Sequence, residues 1–537
     1  MPGTMDYDFR ISSVKMNVSN RSILLVPVRI IIFFVFVYWY PLAGISQNDS
    51  VIEVRIDVKK TFQTIENFGA SDAWSCQFVG NWPDSSKNKM ADWLFSMDTI
   101  TNGNPKGIGL SLWRFNFGAG SAQQKDASGI KDEWRRAESF LGSDKSYNWQ
   151  YQQGQLWFLN AAQQRGVKKF AGFFNSPPFQ FTRNKKTYAE KGICNIEPAQ
   201  YSGFANYTVD VIKHIKRSFG IKFNYLSPVN EPQWDWSDKT QEGCPYTNKE
   251  IAELIKTFNN AFQKNKLVTH LIIPESGQHN YLIRNDNKPE KGSQLSHFFN
   301  DTSSCFVGNL PKIEKVIASH SYFTSSPFTK AITIRNEISK EVNKIPGLRF
   351  WQSEYSVLGD NDGEIKGRGR DTGITSALYV AKVIYEDLVA ANATAWHWWL
   401  AISPYNYKDG LIYIDKTATG GTFYYSKILW ALGNYSRFIR PGMQRVDVVT
   451  KTTGTDSLLI SAYTDVPKKK LVMVIINSGN NAQKLLFSDL SGKFNFFKNQ
   501  WNAYTTSASQ CLTKSVCFLG NAITILPKSI VTLEQAE

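Results

Sequence analysis

Tyr225-Leu226-Ser227-Pro228-Val229-Asn230-Glu231-Pro232 is an apolar run that closes on an amide, a carboxyl group and a proline. A short apolar stretch bounded by turn-forming residues reads as a buried strand, and here the strand ends where the charge begins. Seven further segments share that texture: residues 65–70, 109–116, 169–175, 271–275, 316–322, 350–355 and 395–400. Amphipathic stretches separate them. Residues 152–165 place Leu156, Leu159 and Ala162 on one side of a helix, and 200–219 do the same with Phe204, Tyr207, Val211 and Ile215. Residues 248–265 follow a Thr247 cap, and 371–390 carry Ile374, Leu378, Ala381 and Ile384. Eight strands alternating with helices predict an α/β fold, a (β/α)8 TIM barrel with long loops. An open doubly wound sheet competes, but no Gly-rich nucleotide turn opens the first βα unit.

Beyond Asn434 the texture changes to short alternating strands without helices: 445–450, 457–463, 470–477, 483–487, 501–505, 523–526 and 530–533. That pattern predicts a β-sandwich. Residues 51–58 alternate in the same way, so both chain ends are expected to build one appended domain. The expected organisation is a signal segment over 1–46, a sandwich strand over 47–62, the catalytic barrel over 63–433 and the sandwich over 434–537.

Residues 30–40 are an unbroken apolar run, preceded by Lys15, Arg21 and Arg29 and followed by the small residues Gly44 and Ser46. This is the layout of a secretory signal with cleavage after Ser46, and export is expected. A membrane anchor is the alternative, but Pro27 and Arg29 keep the run too short to span a bilayer. Four cations against two anions leave with this segment, so the mature chain keeps +13 of the net +15. The basic residues are scattered outside any nucleic-acid motif, which points to a solvated surface, with anionic polysaccharide as a partner that would benefit. Aromatic residues make up 14% of the chain, enough to serve ring-shaped ligands as well as cores. The six cysteines, Cys76, Cys194, Cys244, Cys305, Cys511 and Cys517, allow fifteen pairings; Cys511 and Cys517 are spaced to staple a hairpin. No Cys/His spacing suggests zinc, and neither metal nor cofactor is expected. The sequence sets no oligomeric state.

In a barrel of this kind chemistry sits where the strands finish. The fourth strand ends in Asn230-Glu231-Pro232 and the seventh in Glu354-Tyr355. Two carboxyl groups from opposite sides of one mouth are the minimum equipment for glycoside hydrolysis, one a protonated acid and the other ionised. A single strand-end glutamate would be an ordinary surface charge. The pair, set among Trp234, Trp236, Trp351 and Tyr355, is more specific.

The order of Leu112-Trp113-Arg114-Phe115-Asn116, Asn175-Ser176-Pro177-Pro178, Asn230-Glu231-Pro232, His320-Ser321-Tyr322, Ser353-Glu354-Tyr355 and His397-Trp398-Trp399-Leu400-Ala401 resembles glycoside hydrolase family 30. That family is a branch of the retaining (β/α)8-barrel glycosidases. The resemblance spans essentially all of 51–537. It implies a secreted retaining β-glycosidase acting on polysaccharide by double displacement, with Glu231 as acid/base and Glu354 as nucleophile. It further implies substrate contacts or support from Arg114, Asn230, Asn175, Tyr322, Trp398 and Trp234, with Asp72 and Trp74 as weaker candidates. Trp398 and Trp399 face opposite ways in a strand, and the resemblance favours Trp398 toward the sugar and Trp399 into packing. Phe174 is either an apolar platform or core, and Glu275 is a supporting partner. Gly69-Ala70-Ser71-Asp72-Ala73-Trp74 and the Asn175 segment look most like the endo-β-1,6-galactanase branch. Xylanase, glucuronoxylanase and β-1,6-glucanase are the alternatives, with a non-catalytic carbohydrate-binding protein on the same scaffold as the non-enzyme reading.

Overall fold

Strand pairing closes the eight predicted strands into a ring. The computed structural model describes residues 51–450, 456–465, 470–492 and 500–535, so the signal-like run at 30–40 lies outside the described residues. After β1 (Ile52–Thr64), the barrel is formed by β2 (Asn67–Ser71), β3 (Leu112–Asn116), β4 (Lys169–Phe173), β5 (Tyr225–Ser227), β6 (His270–Ser276), β7 (Ile313–His320), β8 (Arg349–Glu354) and β9 (Ala395–Ser403). Each is parallel to its neighbours, and pairing of β8 with β9 and of β9 with β2 shuts the ring, which excludes the open sheet. Outside β9, β10 (Gly410–Ile414) and β11 (Phe423–Tyr425) extend the sheet as a flap.

The helices surround the barrel: α1 (Asp84–Phe95), α2 (Gln153–Gln164), α3 (Pro198–Phe219), α4 (Asn248–Lys264), α5 (Phe328–Val342), α6 (Ile374–Val389) and α7 (Lys427–Ser436). Thr247 caps α4 in a full capping box. Its hydroxyl accepts from the Glu250 N–H, and the Glu250 carboxylate accepts from the Thr247 N–H. The predicted start of α6 at Asp371 moves to Ile374 because Asp371 instead accepts hydrogen bonds from the Gly373 N–H and the Ser376 hydroxyl ahead of the helix.

The second domain is one nine-stranded mixed sheet folded over its own core. Its strands are β1, β12 (Gln444–Thr450), β13 (Leu458–Asp465), β14 (Lys470–Asn477), β15 (Gln483–Asp489), β16 (Gln500–Thr506), β17 (Thr513–Phe518), β18 (Ile523–Ile525) and β19 (Ser529–Gln535). The N-terminal β1 lies between β12 and β15, so both chain ends build this sheet. In β13, Leu458, Ile460 and Ala462 fill the sheet's own core while Leu459 and Tyr463 pack toward the barrel, the two-residue period of a strand buried on both faces.

The change of texture at Asn434 does not coincide with a boundary. The limit expected between 433 and 434 falls inside α7, which continues to Ser436, and the Asn434 amide donates to the Tyr504 carbonyl and the Thr532 hydroxyl. Helix and sheet are thereby tied together. β17 escapes prediction because its side chains are mostly exposed and carry no apolar alternation. The hairpin staple between Cys511 and Cys517 does not form. Cys517 lies opposite Trp501 within the β16–β17 pair, while Cys511 sits at the turn beside Lys427.

Candidate active site

The mouth of the barrel gathers three carboxyl groups, one guanidinium and one imidazole with almost no access to water. Glu354 is the last residue of β8. β5 ends early, at Ser227, and Pro228-Val229-Asn230 carry the chain inward to Glu231. Glu231 adopts a left-handed backbone, φ +45°, which a side chain tolerates only when its surroundings hold it there. Its N–H donates to the Glu275 carbonyl at 2.8 Å, and its own carbonyl accepts from the Trp236 indole at 3.0 Å.

A carboxylate oxygen of Glu231, one of Glu354 and a ring nitrogen of His320 all lie within 4.8 Å of one another. Arg114 donates to Glu354 Oε2 at 2.5 Å and to Asn230 Oδ1 at 3.2 Å, and stands 3.8 Å from Glu275. Its guanidinium carbon lies over the Phe173 ring, 3.9 Å from the ring centre. The Tyr322 hydroxyl donates to the other Glu354 oxygen at 3.2 Å. The sequence-predicted Arg114, Asn230, Glu231, Tyr322 and Glu354 therefore meet at one point.

His320, the last residue of β7, was part of a quoted motif without a role of its own. Its Nδ1 faces Glu231 Oε1 at 2.9 Å and its Nε2 faces Glu275 Oε2 at 3.2 Å. Burial disfavours its charge, but Glu354, Glu231 and Glu275 outweigh burial and push the imidazole up to about 10, so both nitrogens donate. Glu275 is its opposite. Burial raises it, yet Arg114, His320 and the Ser227 hydroxyl together hold it down at about 2. Burial also raises Glu231, and there the hydrogen bond from His320 only partly offsets the effect, while Glu354 adds to it. Arg114 and His320 can balance only two of the three carboxyl groups, so ionising all three would leave one buried negative charge unbalanced. Burial and the neighbouring Glu354 favour the protonated form of Glu231.

Among the described residues Glu231, His320 and Glu354 are the one set spaced for a metal ion.

The remaining predicted contacts divide. Asn175, just past β4, has both amide atoms buried without a protein partner, as a side chain awaiting a ligand does. Trp74 packs edge-on against Trp399 and Tyr405 at the rim, its indole N–H also unpartnered. Trp234 is half-buried on the other rim, edge-on to Tyr281 and Phe323. Asp72 is turned into the wall. It accepts from the Asn116 N–H at 2.8 Å and from Gln155 at 3.2 Å, and burial pushes it up to about 8. Trp398 is not at the sugar face. It is fully buried outside the barrel ring, stacked with Trp396, and its indole donates to the Asp409 carbonyl at 2.7 Å. Trp399 takes the inner position beside Trp74, Phe173 and Arg114. Phe174 is likewise core and its neighbour Phe173 faces the mouth.

Sequence reasoning also passed over Phe323, which stands 54% exposed beside Trp234 with φ +59°. Signals existed: His320 stands two residues before Tyr322 in the expected strand 316–322, and Phe323 follows directly.

Residues 51–413 match the O-Glycosyl hydrolase family 30. The chain belongs to that family. It is 26% identical over 81% of its length to an endo-beta-1,6-galactanase of Hypocrea rufa, of which it covers 82%. A conserved exported protein from Bacteroides fragilis superimposes with a TM-score of 0.83 at 32% identity, over 90% of this chain and 100% of that one. The catalytic domain of a family 30 xylanase C from Talaromyces cellulolyticus shares the fold, with a TM-score of 0.65 at 20% identity over 90% and 100% of the two chains. This family 30 chain is thus a glycoside hydrolase, and its substrate is a polysaccharide or a piece of one.

Proposed function

We propose that this hydrolase is a secreted, retaining endo-β-1,6-galactanase. The observation that carries the mechanism is the approach of Glu231 and Glu354 to within 4.8 Å, oxygen to oxygen. Retaining enzymes hold their two carboxyl groups about 5–5.5 Å apart, whereas inversion needs roughly 6.5–9.5 Å to seat a water. Glu354 attacks the anomeric carbon while Glu231 gives its proton to the departing oxygen. Water then attacks the glycosyl-enzyme, Glu231 takes the proton from it, and configuration is retained. Arg114 and Tyr322 aim the nucleophile, and Asn230, itself fixed by Arg114, reaches the sugar's 2-hydroxyl.

The Hypocrea rufa galactanase supports the choice of substrate. Export is supported by the apolar run at 30–40 and by the Bacteroides fragilis relative described as exported. Digestion of β-1,6-galactan, de-arabinosylated arabinogalactan, glucuronoxylan, linear xylan and β-1,6-glucan tests the reading. Short galacto-oligosaccharides from the first two alone, of retained configuration by NMR, are expected. Products from xylan or β-1,6-glucan instead would overturn the substrate while leaving the chemistry. The N-terminal mass of the protein recovered outside the cytoplasm tests cleavage after Ser46.

A further inference from the structure

We infer that Cys194 and Cys244 join as a disulfide that clamps two active-site loops, an inference that rests on the export reading above. Cys194 lies in the loop from β4 to α3 and Cys244 in the loop from β5 to α4, the one that carries Glu231. Both are buried free thiols, and the Cys244 sulfur accepts from the N–H of Asn195, the residue that follows Cys194, at 3.3 Å.

The backbone around the pair is already registered for closure. Gly243 N–H donates to the Thr187 carbonyl at 2.8 Å, Ala189 N–H to the Trp236 carbonyl at 2.9 Å and Gly192 N–H to the Ser237 hydroxyl at 3.2 Å. Loops held in this way keep the Cys244 sulfur against the backbone next to Cys194, and such proximity is what a disulfide requires. Contact then runs to the acid/base residue. Gly243 lies so close against the Trp236 ring that a Cβ there would stand 2.3 Å from it, and the Trp236 indole holds the Glu231 carbonyl. The clamp thus backs the left-handed turn that aims Glu231.

Oxidation removes two protons and two electrons from the thiols. The electrons pass to a disulfide-form oxidant, an oxidised protein dithiol or oxidised glutathione, which becomes two thiols. Mutual contact and burial hold the Cys194 thiol protonated and unreactive in the folded chain, so the bond forms before the loops close and resists reductant afterwards.

The full chain recovered from an oxidising compartment, unfolded with an alkylating agent and no reductant, should take up four labels and yield a 194–244 linked peptide that separates on reduction. Six labels would overturn the inference. Complete reduction should lower Tm by several degrees in the wild type and leave a Cys194→Ala/Cys244→Ala variant unchanged; equal responses would overturn the clamp. Refolding reduced chain in oxidised glutathione isolates the pair from the export reading. Thiols that stay free there refute the disulfide, whereas a bond that forms in vitro in a chain retained in the cytoplasm refutes export alone. Neither readout depends on the substrate.

Discussion

Mouth and floor of the barrel carry the same chemical groups and put them to different use. At the floor Arg349, the first residue of β8, reaches Glu66 and Glu314, His270 faces Glu314 at 2.8 Å, and the Trp351 indole donates to Glu66 at 3.1 Å. The Arg349 side chain there is 34% exposed and its partners Glu66 and Glu314 19%, against 3% for Arg114 and 4% for Glu354 at the mouth. At the mouth Arg114 and the three carboxyl groups exclude water, and no charge changes without changing its neighbours. Ion pairs in water stabilise little, whereas a buried cluster fixes geometry and proton position at once.

The sharpest break of that contrast is chemical. Glu354→Ala should lower kcat by about 10^4-fold or more while the protein stays folded, and azide should restore turnover with inverted product. Ordinary hydrolysis by that variant would end the assignment. Glu231→Ala should cost about 10²–10⁴-fold, and less on an activated aryl glycoside whose leaving group needs no proton.

Stability gives the next comparison. Arg114→Met strands two buried carboxylates and should cost about 3–5 kcal/mol in denaturant unfolding. Arg349→Met at the floor should cost about 0–1 kcal/mol, and equal losses would erase the distinction drawn here.

The pH dependence follows from His320. Its folded value of about 10 exceeds the ordinary 6.5, so its contribution to stability is complete below 6.5 and lost as pH rises through about 10. Tm of His320→Gln measured from pH 6 to 10 should lack that decline. Since the imidazole holds Glu231 down, the variant's alkaline limb of kcat/KM should also move upward. A limb that moves downward contradicts the proton-holding cluster.

The smallest effect belongs to the rim. Phe323→Ala should raise KM for polymer a few-fold and leave an aryl glycoside unaffected, because Phe323 and Trp234 flank the Glu231 side, where the leaving chain departs.

Much of this was legible in the chain because strand and helix periods are local. All eight barrel strands, the Thr247 cap and the two strand-end glutamates stand out as apolar runs, a capping pattern and a change of polarity. The exposed edge strand β17 carries no such contrast, whereas β10, a buried apolar run between Asp409 and Asp415, carried the signal and was passed over. His320 was hidden for another reason: its role lies in three carboxyl groups contributed by β6, β8 and the loop after β5, none of them near it in sequence.

The sequence by itself determined the alternation of strands and helices, the pairing of both chain ends in one sheet, and the residue types available at the strand ends. It also determined that Trp398 and Trp399, like Phe173 and Phe174, face opposite ways. Only the tertiary structure decided which of each pair faces in. That choice depends on what covers the outside of the ring, and here α6 and the flap bury Trp396 and Trp398 from without, leaving Trp399 for the mouth. Alternation is a property of one strand, whereas its phase is set by the neighbours that the closed barrel brings to it.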